Sequence, residues 1–189
     1  MVWSIQNQQQ DKAIYEITEA QSPRVVAVVG GALIDQSLRN ALEYRMRPDK
    51  DTRKKLFREN GPLGGMQNKI DLGYLLYMYD EQMQATFTGI SEIRNLFAHH
   101  LDMTFEGTDQ RMGQAVQKLT LHEGRTKYPS PIWDGDTEHE IEIIGENRTR
   151  FLVNLKLCLI QLGKDLLRHE PHCNTPNNIR YSAPIEVRS

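Results

Sequence analysis

The sequence has few cysteines, little net charge and no long apolar run. Its two cysteines, Cys158 and Cys173, fall in an apolar helical run and in a polar tail, so we expect free thiols rather than a disulfide. The N-terminal segment lacks the basic region and the apolar run of a signal peptide. No apolar stretch reaches the roughly 20 residues that span a bilayer. These absences predict a cytoplasmic protein without a membrane segment.

Positive and negative charges nearly balance, with 23 lysines and arginines against 25 aspartates and glutamates. The formal net charge of −2 creates no overall field that would draw the chain to nucleic acid or to a membrane. Any such binding would therefore need a local patch. Hydrophobic residues make up 39% of the 189 residues and charged residues 25%, which is typical of one globular domain with a sizeable core.

The motifs of metal binding and of nucleophilic catalysis are missing as well. The sequence contains no Cys-x-x-Cys pair, no His-x-x-x-His pair and no Gly-x-Ser-x-Gly. A loose cluster of His169, His172 and Cys173 lies beyond the end of a predicted helix. We therefore predict neither a metal site nor a cofactor.

The spacing of apolar residues predicts that most of the chain is helical. The predicted helices cover 4–20, 23–46, 52–57, 66–79, a central helix that begins after Asp80, 108–121 and 147–169. A short strand over 138–144 could pair with 120–121 or with 103–105 in a minor two-stranded ribbon. We expect an all-α, single-domain helical bundle of about six or seven helices over residues 1–170, followed by a mobile tail over 171–189.

Two of these helices carry packing predictions of their own. Gly30 and Gly31 lie inside the predicted helix over 23–46, where each glycine destabilises the helix by about 1 kcal/mol relative to alanine. Their presence predicts the close approach of another helix there. The helix over 66–79 has apolar and aromatic residues all round, which predicts burial on several sides. Its tyrosines are expected in the core with a wet hydroxyl, Tyr77 among them.

The central helix organises the rest of the chain. An apolar stripe recurs along it at spacings of three or four residues, formed by Met83, Phe87, Ile90, Ile93, Phe97 and Leu101. Such a stripe lies on one face of a helix, so this segment is predicted to be the buried centre of the bundle.

Three polar residues, Arg94, Asn95 and His99, lie at the edge of that stripe and allow two interpretations. They could form a structural network, with Arg94 paired to Glu92, Asp71 or Asp102 and the others bonded to backbone carbonyls or to the loop over 102–104. They could also form a catalytic site that cleaves RNA without a metal, with His99 as general acid or base and Arg94 stabilising the charged phosphorane. Arg94 and His99 are about 140° apart around the helix, so the long arginine stem or a second copy of the chain would have to bring them together.

A basic segment precedes the central helix and gives a second candidate site. Seven basic residues against two aspartates give a net charge of +5 over residues 45–58. The basic residues are Arg45, Arg47, Lys50, Arg53, Lys54, Lys55 and Arg58. A run of this kind is either a solvated face or a docking patch for an acidic partner or a phosphate backbone.

Three segments carry a family resemblance. They are Asn60-Gly61-Pro62-Leu63-Gly64, Lys69 to Tyr74 (KIDLGY) and Ile93 to His99 (IRNLFAH), in matching order and spacing. They resemble the mannitol operon repressor (MltR/MtlR) family, and the likeness covers most of residues 20–165. The resemblance implies an all-helical transcriptional regulator without a recognisable DNA-reading module, which acts through protein partners.

A second, broader resemblance rests on Arg94-Asn95-x-x-x-His99. This spacing is similar to the Arg-polar-x-x-x-His motif of HEPN domains, helical bundles that include metal-independent ribonucleases. The resemblance implies dimerisation that brings two motifs to one cleft. The three residues would then be catalytic in a ribonuclease, or would bind RNA or a nucleotide.

We therefore expect a regulatory protein that binds a protein partner, forms a homodimer and contacts DNA weakly or indirectly. A metal-independent ribonuclease is the second hypothesis, and a bundle that binds a nucleotide or another phosphate ligand is the third. The basic segment is the only candidate for an operator contact, and it is short and rich in lysine, so sequence-specific DNA binding is not expected.

Overall fold

Helices dominate the part of the chain that the structure describes. The computed structural model describes residues 13, 16, 17, 20–123, 127–129, 138–140 and 146–168, except for the side chains of 127–129, 138–140 and 164–168. Six helices have their bounds there: α1 (Pro23–Arg45), α2 (Lys50–Phe57), α3 (Met66–Leu75), α4 (Glu81–His99), α5 (Gln110–Gln117) and α6 (Asn147–Arg168). The prediction of an all-α bundle is confirmed. The predicted boundary at residue 170, the tail over 171–189 and most of the predicted helix over 4–20 lie outside the described residues.

A minor ribbon accompanies the helices, but its pairing differs from the prediction. Strand β1 (Lys127–Pro129) pairs antiparallel with β2 (Glu138–Glu140), in the register Tyr128 opposite His139. Pairing of the second strand with 120–121 or 103–105 is therefore wrong. The observed partner lies closer along the chain, and closing a shorter loop costs less conformational entropy. Within the described residues, no helix has the length and apolar character needed to cross a membrane.

The helix starts follow the capping residues in the sequence. Pro23 occupies the first turn of α1, where its missing N–H costs nothing. Asp49 accepts a hydrogen bond from the Thr52 amide at 2.7 Å and begins α2. Asp80 accepts one from the Met83 amide at 2.9 Å and begins α4. The start of the central helix is thus fixed by a side chain next to it in sequence.

The core is centred on α4, as the apolar stripe predicts. Helices α1, α4 and α6 pack on one another, and α3 and α5 flank α4. Phe87, Ile90, Ile93 and Phe97 of α4 are fully buried. Leu101 is not part of the core: it is 92% exposed. Because α4 ends at His99, the helical phase that would have turned Leu101 inward is lost.

Helix α3 also ends earlier than predicted, which changes which of the predicted tyrosines are buried. Tyr79 is buried, and its hydroxyl donates a hydrogen bond to the Ile70 carbonyl at 2.6 Å, as expected for a core tyrosine. Tyr77, however, is 95% exposed, so its predicted burial is wrong. The helix ends at Leu75 and the chain turns there, which points the Tyr77 ring into solvent.

The two glycines of α1 mark helix contacts, as predicted. A Cβ on Gly30 would lie 3.2 Å from side-chain atoms of Phe151 and Leu155 in α6. A Cβ on Gly31 would lie 2.5 and 2.6 Å from Cγ and Cβ of Arg94 in α4. Glycine is therefore required where α1 meets α4, and the side chain that fills the space belongs to the candidate site.

Candidate functional site

The Arg94, Asn95 and His99 side chains are all exposed on α4. The Arg94 stem lies against Gly31, and its Nη1 donates a hydrogen bond to Asn95 Oδ1 at 2.9 Å. Among the described residues, the His99 ring has no hydrogen-bond partner. The three groups thus form an accessible surface, and two of them are in direct contact.

The acids that the structural interpretation assigned to Arg94 have other neighbours. Glu92 accepts a hydrogen bond from Lys118 Nζ at 2.5 Å. Asp71 accepts hydrogen bonds from Gln67 at 3.0 Å and Gln84 at 3.3 Å. Asp102 lies near Arg111, and its charge helps to raise the pKa of that guanidinium. The expected pairing of Arg94 with one of these acids is therefore wrong.

The end of α4 next to His99 is fixed by Arg24, a residue that the sequence did not single out. The Arg24 guanidinium donates hydrogen bonds to the Phe97 carbonyl and, at 2.6 Å, to the His100 carbonyl. These carbonyls have no partner within the helix, and a cation is favourable at a helix C-terminus. Because Arg24 lies more than seventy residues earlier in the chain, no local pattern indicates this contact.

The basic segment divides into exposed and structural side chains. Arg47, Lys50, Lys54, Lys55 and Arg58 are exposed, whereas Arg45 and Arg53 are partly buried. The Arg53 guanidinium donates hydrogen bonds to the carbonyls of Met46 and, at 2.7 Å, of Arg47. Arg53 therefore joins α2 to the end of α1, and the five exposed residues form what we call the α2 surface.

A groove of about 340 Å³ runs between α1 and the α2 surface. It is lined by Arg39, Glu43, Pro48, Lys50, Arg53 and Lys54. Arg39 pairs with Glu43 at 2.8 Å and stacks over the Phe57 ring, 5.1 Å from its centre. Lys50 and Lys54 thus supply positive charge at the mouth of the groove.

A second groove, of about 330 Å³, lies between the end of α4 and the start of α5. It is lined by His100, Asp102, Met103, Thr104, Gly107, Thr108, Asp109 and Arg111. Arg111 pairs with Asp109 at 2.7 Å, and its Nη1 lies 3.1 Å from His100 Nε2. Hydrogen bonds from Arg111 lower the pKa of Asp109 to about 2. The charges of this groove are already paired with one another.

No group of three or more potential metal-ligating side chains occurs among the described residues. The loose cluster of His169, His172 and Cys173 lies outside them. Cys158 is buried in α6, and burial raises the pKa of its thiol well above the usual value. A thiol in that state is a packing group rather than a nucleophile.

An exposed apolar corner was missed by sequence reasoning. Leu75, Leu76 and Tyr77 stand at the turn between α3 and α4, and they are 70%, 44% and 95% exposed. The apolar run within the predicted helix over 66–79 indicated that these residues are buried. Because α3 ends at Leu75, they are exposed instead. We call these three residues the Tyr77 corner.

The comparisons with known proteins bear on the fold. No family model matches the sequence, and neither does any curated protein. Among solved structures, the chain is similar to one in the MtlR–HPr complex from Escherichia coli, with 15% sequence identity and a TM-score of 0.57. The likeness covers 82% of this chain and 98% of that chain. The chain therefore has an MtlR-like, all-helical fold.

Proposed function

We propose that this chain is a transcriptional regulator of the mannitol-operon-repressor type, which acts by binding a protein partner. The observation that carries the proposal is the shared fold, because the likeness spans nearly the whole of the other chain, in a structure that also contains HPr. The resemblance of residues 60–64, 69–74 and 93–99 to the same family supports it independently. HPr is accordingly the first partner to test.

Binding of HPr by the purified chain tests this proposal directly. Isothermal titration calorimetry with Escherichia coli HPr is expected to give one HPr per chain with a micromolar or lower Kd. Absence of heat at 100 μM of both proteins, together with no shift of the chain's Tm, would refute the HPr-binding function.

The α2 surface is proposed to bind a different, acidic target. Arg47, Lys50, Lys54, Lys55 and Arg58 are exposed, and they surround two aspartates of which Asp49 is committed to capping α2. Positive charge arranged in this way attracts an acidic protein surface or a phosphate backbone, and it steers association more than it sets affinity. A regulator with this surface can contact its target without reading bases.

We propose that the chain also forms a homodimer. Leu101, two residues after His99, is 92% exposed, and a second copy that covers this end of α4 would remove it from water. Sedimentation equilibrium at micromolar concentration is expected to give twice the chain mass, and a monomer at all concentrations would contradict this.

A metal-independent ribonuclease is the second candidate, favoured by one observation. Arg94, Asn95 and His99 are all exposed on α4, and the Arg94 guanidinium donates to Asn95 rather than to an acid. Cleavage of single-stranded RNA in EDTA should then be lost in Arg94→Ala and in His99→Ala. His99→Ala should keep the wild-type Tm, because its ring is exposed. Arg94→Ala also removes a stem that packs on Gly31, so Arg94→Met, which keeps that stem, is compared with it. Gln114→Ala, at an exposed position of α5, serves as the surface control. Equal cleavage by all variants would identify a contaminant.

A further inference from the structure

The Tyr77 corner combines exposure with an unfavourable backbone. Tyr77 has φ 55°, a left-handed conformation that side chains other than glycine rarely adopt. Glycine is the usual residue at this position after a helix, since it has no Cβ to clash. Tyrosine is therefore present at a position where it strains the backbone, and with the ring 95% exposed it gains no packing in return.

The turn that carries Tyr77 is held firmly. The Tyr77 amide donates to the Tyr74 carbonyl at 2.9 Å, and the Met78 amide donates to the Gly73 carbonyl at 3.0 Å. This pair of bonds is the Schellman motif, which satisfies the last carbonyls of a helix. Buried Met78 and Tyr79 follow at once and anchor the chain to the core. The exposed ring is thus presented in a fixed position, and a group ordered before binding loses little entropy on contact.

The surroundings of the Tyr77 corner are acidic. Asp80 and Glu81 are exposed at the start of α4, and Asp71 is partly exposed on α3. The Tyr74 hydroxyl lies 3.4 Å from Glu81 Oε1, and the Glu81 charge raises the pKa of that hydroxyl. An apolar anchor with an acidic border complements an apolar pocket whose rim is basic. A second copy of the same corner, with its own acidic border, would be repelled.

We propose that the Tyr77 corner is the docking contact for the protein partner, which presents an apolar pocket with a basic rim and receives the Tyr77 ring. This inference rests on the proposed function, and the probe is therefore Escherichia coli HPr. The α2 surface has the opposite charge and takes a different target. Backbone strain at an exposed aromatic side chain is then explained by binding, since strain commonly persists where function requires it.

The experiment measures HPr affinity by calorimetry and Tm by differential scanning calorimetry for five proteins. They are the wild type, Tyr77→Gly, Tyr77→Ala, Glu81→Gln and Leu101→Ala. Both Tyr77 variants should bind HPr at least about tenfold more weakly, as for an aromatic anchor residue. Tyr77→Gly should also raise the Tm by about 2–4 °C, because glycine relieves the left-handed strain, whereas Tyr77→Ala should not. If Tyr77 served only the fold, a substitution that stabilised the protein would not also weaken HPr binding.

The remaining variants test the charge and the location. Glu81→Gln should weaken binding several-fold and reduce its dependence on salt, as expected for a basic rim. Leu101→Ala removes an equally exposed apolar side chain elsewhere and should bind like the wild type. Unchanged affinity in Tyr77→Gly or Glu81→Gln would overturn the docking contact while leaving HPr binding intact.

Two further outcomes would also overturn the inference. A wild-type chain that binds no HPr refutes the proposed function and this contact with it. A wild-type dimer that Tyr77→Gly converts to a monomer in sedimentation, without HPr, would assign the Tyr77 corner to a second copy. A fall in Tm for Tyr77→Gly would show that the ring is packed rather than presented.

Discussion

At the scale of single residues, Gly31 links the packing of the bundle to the candidate site. The space beside it holds the Arg94 stem between α1 and α4. From there the guanidinium extends to the surface and donates to Asn95. The packing at Gly31 therefore decides where the Arg94 side chain of the candidate site lies, and the effect of changing Gly31 can be measured.

We expect Gly31→Ala to destabilise the protein by about 1–3 kcal/mol, as overpacking does, even though alanine favours a helix by about 1 kcal/mol. The new Cβ would lie 2.6 Å from Arg94 Cβ, an atom next to the backbone that cannot swing away, so α1 and α4 must move apart. Urea unfolding measures the change in free energy.

Gly113→Ala is the matched control for this prediction. A Cβ on Gly113, also in a helix, meets no atom within 4 Å, so only helix propensity acts and stability should rise by about 0.5–1 kcal/mol. A Gly31→Ala protein as stable as Gly113→Ala would show that the two helices are not in close contact at Gly31.

The contacts of Gly30 and Gly31 could be predicted from the sequence only in part. A glycine pair inside a long helix is costly, so the sequence alone predicted that another helix comes close. It could not say which helix, because neither Arg94 nor Phe151 is marked by any pattern near Gly30 and Gly31. Several helices carry apolar or flexible side chains that could pack on these glycines, and only the tertiary structure determines which of them does.

At the scale of elements, helix starts were predicted more accurately than helix ends: α1, α2 and α6 end within one residue of the prediction, whereas α3, α4 and α5 end early. Asp80 caps α4 from the adjacent position, and an aspartate before an apolar stripe is a local signal. The end of the same helix is held by Arg24 across the fold, which no local pattern reveals. Errors in the helix ends then misplaced Leu101 and Tyr77, although the interior residues Ile90 and Phe97 were placed correctly.

The candidate site was predictable in composition but not in environment. The spacing of Arg94, Asn95 and His99 indicated a polar edge on α4, and the structure exposes all three. Glu92, one of the predicted partners of Arg94, instead forms an ion pair with Lys118, which follows the last residue of α5. Competition between cations for one acid depends on the packing of helices, which the sequence does not show.

The start of α5 gives a prediction about pH. Asp109 accepts hydrogen bonds from the Arg111 guanidinium and from the Arg111 amide, the latter at 2.8 Å, and these bonds lower the pKa of Asp109 from 3.8 to about 2. Folding favours the ionised form, so this stabilisation is fully present above pH 3.8 and is lost as pH falls toward 2. Asp109→Asn should therefore be less stable than wild type at pH 6, and the difference should shrink below pH 4. A difference that stays constant from pH 2 to pH 7 in urea unfolding would contradict it.

At the scale of the whole molecule, two surfaces of opposite charge coexist on a chain of net charge −2. The α2 surface is basic, and the Tyr77 corner has an acidic border. Salt screening limits the reach of each surface to about 8–10 Å at physiological ionic strength. A chain with this distribution of charge can contact two partners through different surfaces without attracting nucleic acid from a distance.

This arrangement predicts weak DNA binding that depends on salt and not on sequence. Non-specific affinity should lie in the range of about 10⁻⁴–10⁻⁶ M, equal for a mannitol operator and for an unrelated duplex. Each phosphate contact adds about 0.9 to the slope of log affinity against log salt. The double variant Lys50→Ala/Lys54→Ala should therefore lower that slope by up to about 1.8 when it is measured by fluorescence anisotropy. Lys118→Ala, whose charge is already paired with Glu92, should leave the slope unchanged. A footprint on one operator that survives high salt would mean that side chains read base edges, and the protein would then be a direct repressor rather than one that works through partners.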